Sequence, residues 1–294
     1  MKKILLIAFL FFTAALYSMD WPSPTGVMAR NFGWNDEGRP CLGVTFLDEG
    51  ELFAAEKGDL LFYRGENDSA SRLPSPLGSW IALDHNDGII SIYSRFDDSS
   101  SGAASGMVPG TVEKTELLGK SGVSGWAARN GFYFQLYDRK ERRWINPSMI
   151  ISSREGLMED TRPPVITSVR LRDDQGRSFD PSQIRNLSQG RYHVLVDSVD
   201  YMPLPNTQPL APYRIICSLN GSEAGVLNFE TYSARNGTLM VYRNGLVPVK
   251  QVYAPFPFYE TAEVWLSRGQ TTLEIISQDI AGNERRIVYR LMVE

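Results

Sequence analysis

The sequence predicts an all-β fold that is divided into two domains. Short apolar runs recur between turn residues, and no convincing amphipathic helix is found beyond the N-terminal segment. The 25 glycines and 17 prolines favour many turns. Because a domain typically holds about 100–200 residues, 294 residues fit two domains better than one. The 43% hydrophobic and 22% charged content excludes a mostly disordered chain.

Residues 1–18 are predicted to be an export signal peptide. The basic start Met1–Lys3 precedes an apolar run from Ile4 to Leu16, which is shorter than the roughly 20 residues of a spanning helix. Cleavage is expected after Ser18, and an uncleaved anchor is the alternative. Cleavage would leave 28 basic against 34 acidic residues, a net charge of −6. We therefore expect a periplasmic or extracytoplasmic protein without a stable membrane span, and neither nucleic acid nor an anionic membrane as its partner.

The first domain is predicted over residues 19–153. The sequence Asn86-Asp87-Gly88 predicts a tight hairpin between two of its strands, because Asn, Asp and Gly tolerate positive φ. The polar stretch Asp97–Gly106 predicts a surface loop. The candidate strands are Gly43–Phe46, Leu60–Tyr63, Trp80–Leu83, Ile89–Tyr93 and Phe132–Leu136.

A linker is predicted over residues 154–164, and a second domain over 165–294. The linker is charged and ends in Pro163-Pro164, which cannot continue a helix or a central strand. Asn-Gly pairs at 220, 236 and 244 predict tight turns, as in a β-sandwich. The candidate strands are Val165–Leu171, Tyr192–Val196, Arg214–Leu219, Thr272–Ile276 and Arg286–Val293.

Cysteine and histidine, the residues most used for metal and general-base chemistry, are scarce in this chain. Cys41 and Cys217 are 176 positions apart, and we interpret both as free, buried thiols, with a disulfide between them as the alternative. His85 follows a predicted strand beside a turn, and His193 lies within one. Structural roles are expected for both histidines.

Six short elements occur in order between residues 21 and 151. They are Arg30–Asn35 (RNFGWN), Cys41–Thr45 (CLGVT), Leu52–Leu60, Gly78–Phe96, Leu118–Gly125, and Gly131–Leu136 followed by Asn146-Pro147. Together they resemble the lysostaphin/LytM-type zinc metallopeptidases, which cut peptide cross-links in the bacterial cell wall. The resemblance implies a compact antiparallel β domain with its site in a groove across one sheet.

The resemblance also identifies which positions would carry the chemistry, and all of them are replaced. In the family, zinc is held by the His and Asp of H-x-G-x-D and by the second His of H-x-H; Cys41, Thr45 and Tyr133 occupy these positions. The two assisting His correspond to Arg95 and Gly131. Zinc takes Cys, His or carboxylate ligands, so one suitable ligand of three should not hold it. The sequence therefore predicts no metal, no cofactor and no catalytic residue.

The vacated groove is the predicted binding site, since it offers an aromatic ring and a permanent cation instead of a metal. An alternative is that these residues only fill the old site. A second alternative, a rescued metal site, would combine Cys41, His85 and Asp84. The candidate groove residues are Cys41, Thr45, Asp84, Arg95 and Tyr133.

The second half resembles bacterial immunoglobulin-like domains. Pro164–Val169 is similar to their first strand, and Ser277–Asn283 to the x-x-D-x-A-G-N turn before their last strand. Asp279 is suited to close an Asx turn there. The expected fold is therefore a LytM-type antiparallel β domain followed by an immunoglobulin-like β-sandwich.

The functional hypothesis is an exported, catalytically inactive pseudo-peptidase that acts by binding. It would regulate or scaffold cell-wall (peptidoglycan) remodelling or envelope assembly. Its expected partners are an envelope protein, either a cell-wall hydrolase or an assembly component, and/or peptidoglycan. The alternatives are an active zinc peptidoglycan endopeptidase with non-standard ligands and a passive peptidoglycan-binding module.

Overall fold

The computed structural model describes residues 19–47, 50–65, 74–97, 110–151, 160–184, 186–203 and 208–294. The predicted signal peptide, residues 154–159 of the predicted linker and nearly all of the Asp97–Gly106 stretch lie outside the described residues. Regular structure within them is β-strand, with short 3₁₀ helices at Pro147–Met149 and Val249–Gln251. The all-β prediction is therefore confirmed. None of the helices in the described ranges is long and apolar enough to cross a membrane.

The strands of the first half alternate with short turns. In chain order they are β1 Val27–Arg30, β2 Asn35–Asp36, β3 Arg39–Pro40, β4 Val44–Leu47, β5 Glu51–Phe53, β6 Gly58–Arg64, β7 Trp80–Asp84, β8 Ile89–Ser94, β9 Thr111–Val112, β10 Leu117–Lys120, β11 Phe132–Asp138 and β12 Arg143–Ile145.

The strands of the second half include several that are longer than any strand of the first half. In chain order, the strands of the second half are β13 Val165–Asp173, β14 Ser178–Phe179, β15 Asn186–Leu187, β16 Gly190–Val199, β17 Arg214–Leu219, β18 Ser222–Arg235, β19 Thr238–Arg243, β20 Leu246–Pro248, β21 Tyr259–Leu266, β22 Gly269–Gln278 and β23 Glu284–Val293.

Alternation along the strands sorts the first-half sheet into an inner and an outer face. On β11, Phe132, Phe134 and Leu136 are fully buried, whereas Tyr133 and Tyr137, which point to the other face, are partly exposed. The inward residues of neighbouring strands meet in one apolar core. The predicted hairpin between β7 and β8 is present, with positive φ at Asn86 and Gly88. This alternation leaves the outer face available for a site.

The sheet continues from the first half of the chain into the second. β12 pairs antiparallel with β18, where Trp144 lies opposite Tyr232, so both halves contribute to one 15-stranded sheet. Buried residues nevertheless form two clusters, one mainly in each half. Phe32 belongs to the first half of the chain but packs in the cluster of the second half, with its ring centroid 5.0 Å from that of Tyr232. We keep the two-domain division with its linker at residues 154–164 as a proposal.

Asparagine side chains join the two halves. Asn35 is buried, and its amide Nδ2 donates to the carbonyl oxygens of Ala254 (3.1 Å) and Phe258 (3.0 Å). Asn31 Nδ2 donates to the Ala211 carbonyl at 2.8 Å, and Asn31 Oδ1 accepts from the Ala211 amide at 2.7 Å. The hairpin formed by β2 and β3 is therefore attached to the second half. Cys41 directly follows β3 and is held there by backbone hydrogen bonds with Gly33 and Trp34.

Candidate functional site

The strand register brings one row of side chains together across the outer face of the first-half sheet. Thr45 lies opposite Tyr133, Tyr133 opposite Ser94, and Ser94 opposite Trp80. Directly opposed residues share a face of the sheet, so these four side chains form a continuous row. Arg95 follows Ser94 directly in sequence. This row is the floor of the candidate groove.

Cys41 and Tyr133 are in direct contact at one end of this row. The Cys41 thiol donates to the Gly43 carbonyl at 3.3 Å, and the Cys41 and Tyr133 side chains are hydrogen-bonded to each other. The Leu42 backbone amide donates to the Tyr133 hydroxyl. Burial raises the pKa of the Cys41 thiol and also the pKa of the Tyr133 hydroxyl. Both groups are therefore protonated and neutral near pH 7.

The guanidinium of Arg95 lies over the ring of Tyr133, with its carbon 5.4 Å from the ring centroid. The backbone of Arg95 has a φ of 73°, an unusual conformation for a side chain of this size. Its amide donates to the carbonyls of Leu77 (3.0 Å) and Ser79 (2.9 Å), and its own carbonyl accepts from Gly122 (2.8 Å). These bonds hold a strained residue in one place and so fix its side chain over Tyr133.

Arg95 is an incompletely partnered cation. Its Nε atom is buried and has no hydrogen-bond partner within the described part of the chain. The neighbouring Arg30, by contrast, forms an ion pair with Asp36 at 2.9 Å. Burial lowers the pKa of Arg95 from its usual value, yet an arginine side chain remains charged at physiological pH. A buried donor on a permanent cation favours an anionic group as its ligand.

These residues do not fit a zinc ion. The three ligand positions that the resemblance identifies hold a protonated thiol, a protonated phenol and the Thr45 hydroxyl, and Arg95 adds a positive charge beside them. Zinc sites use thiolate, imidazole or carboxylate ligands. At Gly131, a Cβ atom would lie 2.1 Å from the Phe46 carbonyl oxygen, so this backbone admits no histidine there.

Asp84 shares the outer face with the row but does not join the cluster. It is four residues from Trp80 on β7, a separation of about 13 Å along a strand. Its carboxylate forms an ion pair with Arg139 at 2.9 Å and accepts the Asn86 amide at 3.1 Å. Of the five candidate groove residues, the structure thus brings together Cys41, Thr45, Arg95 and Tyr133 and leaves Asp84 at the far end.

His85 has a structural environment. Its Nδ1 lies 2.8 Å from the Lys57 carbonyl oxygen, and its Nε2 lies 2.8 Å from the Ser91 hydroxyl. Both ring nitrogens are occupied within the core, so a metal site combining His85 with Cys41 is not formed. In the second half, His193 Nδ1 lies 2.9 Å from the Glu260 carboxylate. Cys41 and Cys217 are both free thiols; Cys217 is buried as expected, whereas Cys41 is partly exposed.

Sequence reasoning missed Trp80 and Phe62 as groove residues. Trp80 is in the same row as Tyr133, and its ring centroid lies 4.6 Å from that of Phe62, which is 46% exposed. Counting alternate residues along the predicted strand Trp80–Leu83 would have placed Trp80 on the outer face. The groove therefore combines a cation at its centre with a nearby aromatic pair, in which Phe62 is exposed and Trp80 partly exposed.

One protein-family model matches residues 163–294. No curated protein matches the chain. The immunoglobulin-like assignment of the second half remains a prediction.

Several solved structures are similar to the chain. A chain of the SpoIIQ–SpoIIIAH pore-forming complex is 15% identical over 48% of this chain and 95% of its own length, with a TM-score of 0.37. The catalytic domain of the prophage-encoded M23 protein EnpA from Enterococcus faecalis is 17% identical over 45% and 95%, with a TM-score of 0.35. The antimicrobial peptidase lysostaphin from Staphylococcus simulans is 17% identical over 78% and 87%, with a TM-score of 0.36. The solved structures to which the chain is similar thus include an M23 protein and lysostaphin.

Proposed function

We propose that this chain is an exported pseudo-peptidase that acts by binding, as a regulator or scaffold of cell-wall remodelling or envelope assembly. One observation carries the proposal. Arg95, at a position where the family has a catalytic histidine, is fixed over Tyr133 with a buried, unpartnered Nε. The positive charge of Arg95 thus lies next to the positions at which an active member of the family would hold its zinc ion.

The same residues argue against hydrolysis. Without a metal, an attacking water keeps a pKa near that of bulk water and is a poor nucleophile at neutral pH. Arg95 stays protonated and cannot act as a general base, and Gly131 has no side chain. The neutral Cys41–Tyr133 pair is hydrogen-bonded internally and to the backbone, so it has no free base to offer.

The groove chemistry suits a peptide segment that carries a carboxylate. The carboxylate would pair with Arg95, because hydrogen bonds between charged groups are stronger than those between neutral groups. The aromatic rings of Trp80 and Phe62 offer apolar contact area beside it. Such a segment occurs in acidic regions of envelope proteins and in the stem peptides of peptidoglycan. We propose an envelope protein as the main partner.

Affinity purification after crosslinking in the native envelope tests this proposal. The bait is the full chain, compared with Arg95→Gln, which removes the charge and leaves a shorter, neutral, polar side chain. We expect capture of an envelope protein by the wild type and its loss with Arg95→Gln. Arg286→Gln is the matched control, because Arg286 is an exposed arginine of the second half, paired with Glu274 at 2.8 Å, and should leave capture unchanged.

Two further results decide between the proposal and its alternatives. Equal capture by Arg95→Gln and the wild type would contradict a role for the groove. Sedimentation with purified sacculi distinguishes a passive peptidoglycan binder, since binding to sacculi in the absence of any captured protein would favour that function over a protein partner.

A further inference from the structure

Three carboxylates meet at a point remote from the groove. Asp160 lies at the end of the predicted linker, Asp200 directly follows β16, and Asp279 directly follows β22. One ligand oxygen from each lies within 4.8 Å of the others. Asp200 and Asp279 are buried, and Asp160 is half-buried. Three segments that are distant in sequence therefore place acidic groups in one small, largely buried space.

The hydrogen bonds of these carboxylates are unequal. Asp279 is well supported, since its two oxygens accept from the Asn283 amide and from Asn283 Nδ2, both at 2.8 Å. Asp160 accepts the Arg162 amide at 3.1 Å. Asp200, only 8% exposed, has its Oδ1 atom buried with no hydrogen-bond partner in the described ranges. A buried carboxylate oxygen without a partner is costly, so its position calls for a ligand.

The neighbouring cation does not supply that ligand. The guanidinium of Arg162 donates through one nitrogen to the backbone carbonyls of Tyr201 and Met202. The charge of Arg162 has only a weak electrostatic effect on the carboxyl groups of Asp160 and Asp200. Among the ion pairs of the described residues, none joins Arg162 to one of the three carboxylates. Among the described residues, the cluster thus holds three acidic groups, and Arg162 is the cation that acts on them.

We infer that Asp160, Asp200 and Asp279 form a binding site for a calcium ion. Calcium takes oxygen ligands at about 2.3–2.6 Å, so two of its ligands are at most about 5 Å apart, and the oxygens here meet that limit. Magnesium requires near-ideal octahedral geometry at about 2.0–2.1 Å and keeps several of its waters, whereas calcium accepts flexible geometry and more protein ligands. Carboxylates are hard ligands, which favours calcium over softer metals.

Bound calcium would stabilise the connection between the two halves. The backbone of Asp200 pairs with Leu210 through two hydrogen bonds of 2.9 Å, and the Leu210 side chain packs in the core of the first half. The Asp160 carbonyl accepts Asn283 Nδ2 at 2.9 Å. An ion at this point would therefore tie the end of the linker, the segment after β16 and the turn between β22 and β23 together. We expect an affinity of about 10⁻⁴–10⁻³ M, as in extracellular calcium modules.

Calcium binding by the full chain tests this inference. After treatment with a chelator, the protein is titrated with CaCl₂ and its melting temperature is recorded, and equilibrium dialysis with ⁴⁵Ca gives the stoichiometry. We expect a saturable rise in melting temperature, one ion per chain and a smaller response to MgCl₂. No bound calcium at 5 mM would overturn the site, and an equal response to MgCl₂ would overturn the assignment to calcium.

Substitutions locate the ion. Asp200→Asn should abolish the calcium-dependent shift while keeping a cooperative transition in the metal-free protein, because it removes a buried like charge. Asp197→Asn is the matched control, since Asp197 is an equally buried aspartate on β16 outside the cluster. The control should retain the full shift. An unchanged shift in Asp200→Asn would contradict the inference; if this variant does not fold, the same comparison is made with Asp160→Asn.

Discussion

Asn35 is the residue that we expect to contribute most to the attachment between the two halves. Its side chain is 1% exposed, and its amide donates to two carbonyls of the second half. In Asn35→Ala, the carbonyls of Ala254 and Phe258 lose their donor. A buried polar group left unsatisfied costs about 1–3 kcal/mol, so two such groups predict a loss of about 2–6 kcal/mol in the free energy of unfolding.

Urea unfolding of the full chain, followed by tryptophan fluorescence, measures this loss. Asn35→Asp should be more destabilising than Asn35→Ala, because a carboxylate would then face two carbonyl oxygens. Asn186→Ala is the control: Asn186 is exposed, and within the described residues its side chain bonds only to Glu294 Oε1, so its loss should be below about 0.5 kcal/mol. A loss of that small size for Asn35→Ala would refute the idea that buried asparagine bonds connect the halves.

Three further predictions follow from the packing of the first half. Gly131→Ala should destabilise the chain in thermal unfolding, because its Cβ would lie 2.1 Å from the Phe46 carbonyl oxygen; an unchanged melting temperature would contradict the close approach. Phe32→Ala should cost about 3–5 kcal/mol in urea unfolding, since the buried ring packs in the second core; a loss under 1 kcal/mol would contradict that placement. Cys41 and Cys217 should react with a disulfide reagent such as DTNB at pH 8 only after unfolding, because burial raises the pKa of both thiols; rapid reaction in the native state would contradict it.

The strands and tight turns were predictable because their signals are local. The run Arg214–Leu219 is β17 as predicted, and the Asn-Gly pairs at 220, 236 and 244 all show positive φ at both residues. The boundaries of other strands extend one or more residues beyond the apolar runs. Pairing with a neighbouring strand, rather than apolar character, determines where those strands end.

The convergence of Cys41, Thr45, Arg95 and Tyr133 was predictable only through the resemblance to LytM-type peptidases, which implies that these positions share one site. Asp84 was included with them because it belongs to the same motif as Arg95. The distance between them depends on strand register, which one sequence does not reveal: Asp84 lies opposite Ile90, whereas Trp80 lies opposite Ser94 beside Arg95.

The contacts between the halves could not be predicted, because they join residues far apart in sequence. Asn35 and Ala254 are 219 positions apart, and nothing in the local pattern around Asn35 indicates its partner. The acidic cluster was missed for the same reason. The sequence showed Asp279 only as a turn residue, a role that the Asn283 amide supports, while Asp160 and Asp200 had no motif of their own.

The zinc content of the full chain tests most directly whether the old ligand positions still hold a metal. The protein is purified with zinc in the growth medium and measured by elemental analysis beside Cys41→Ser, with Asp200→Asn to account for any metal at the acidic cluster. We predict no zinc that depends on Cys41, and therefore equal values for the wild type and Cys41→Ser. One zinc per chain that is lost in Cys41→Ser and retained in Asp200→Asn would contradict the account.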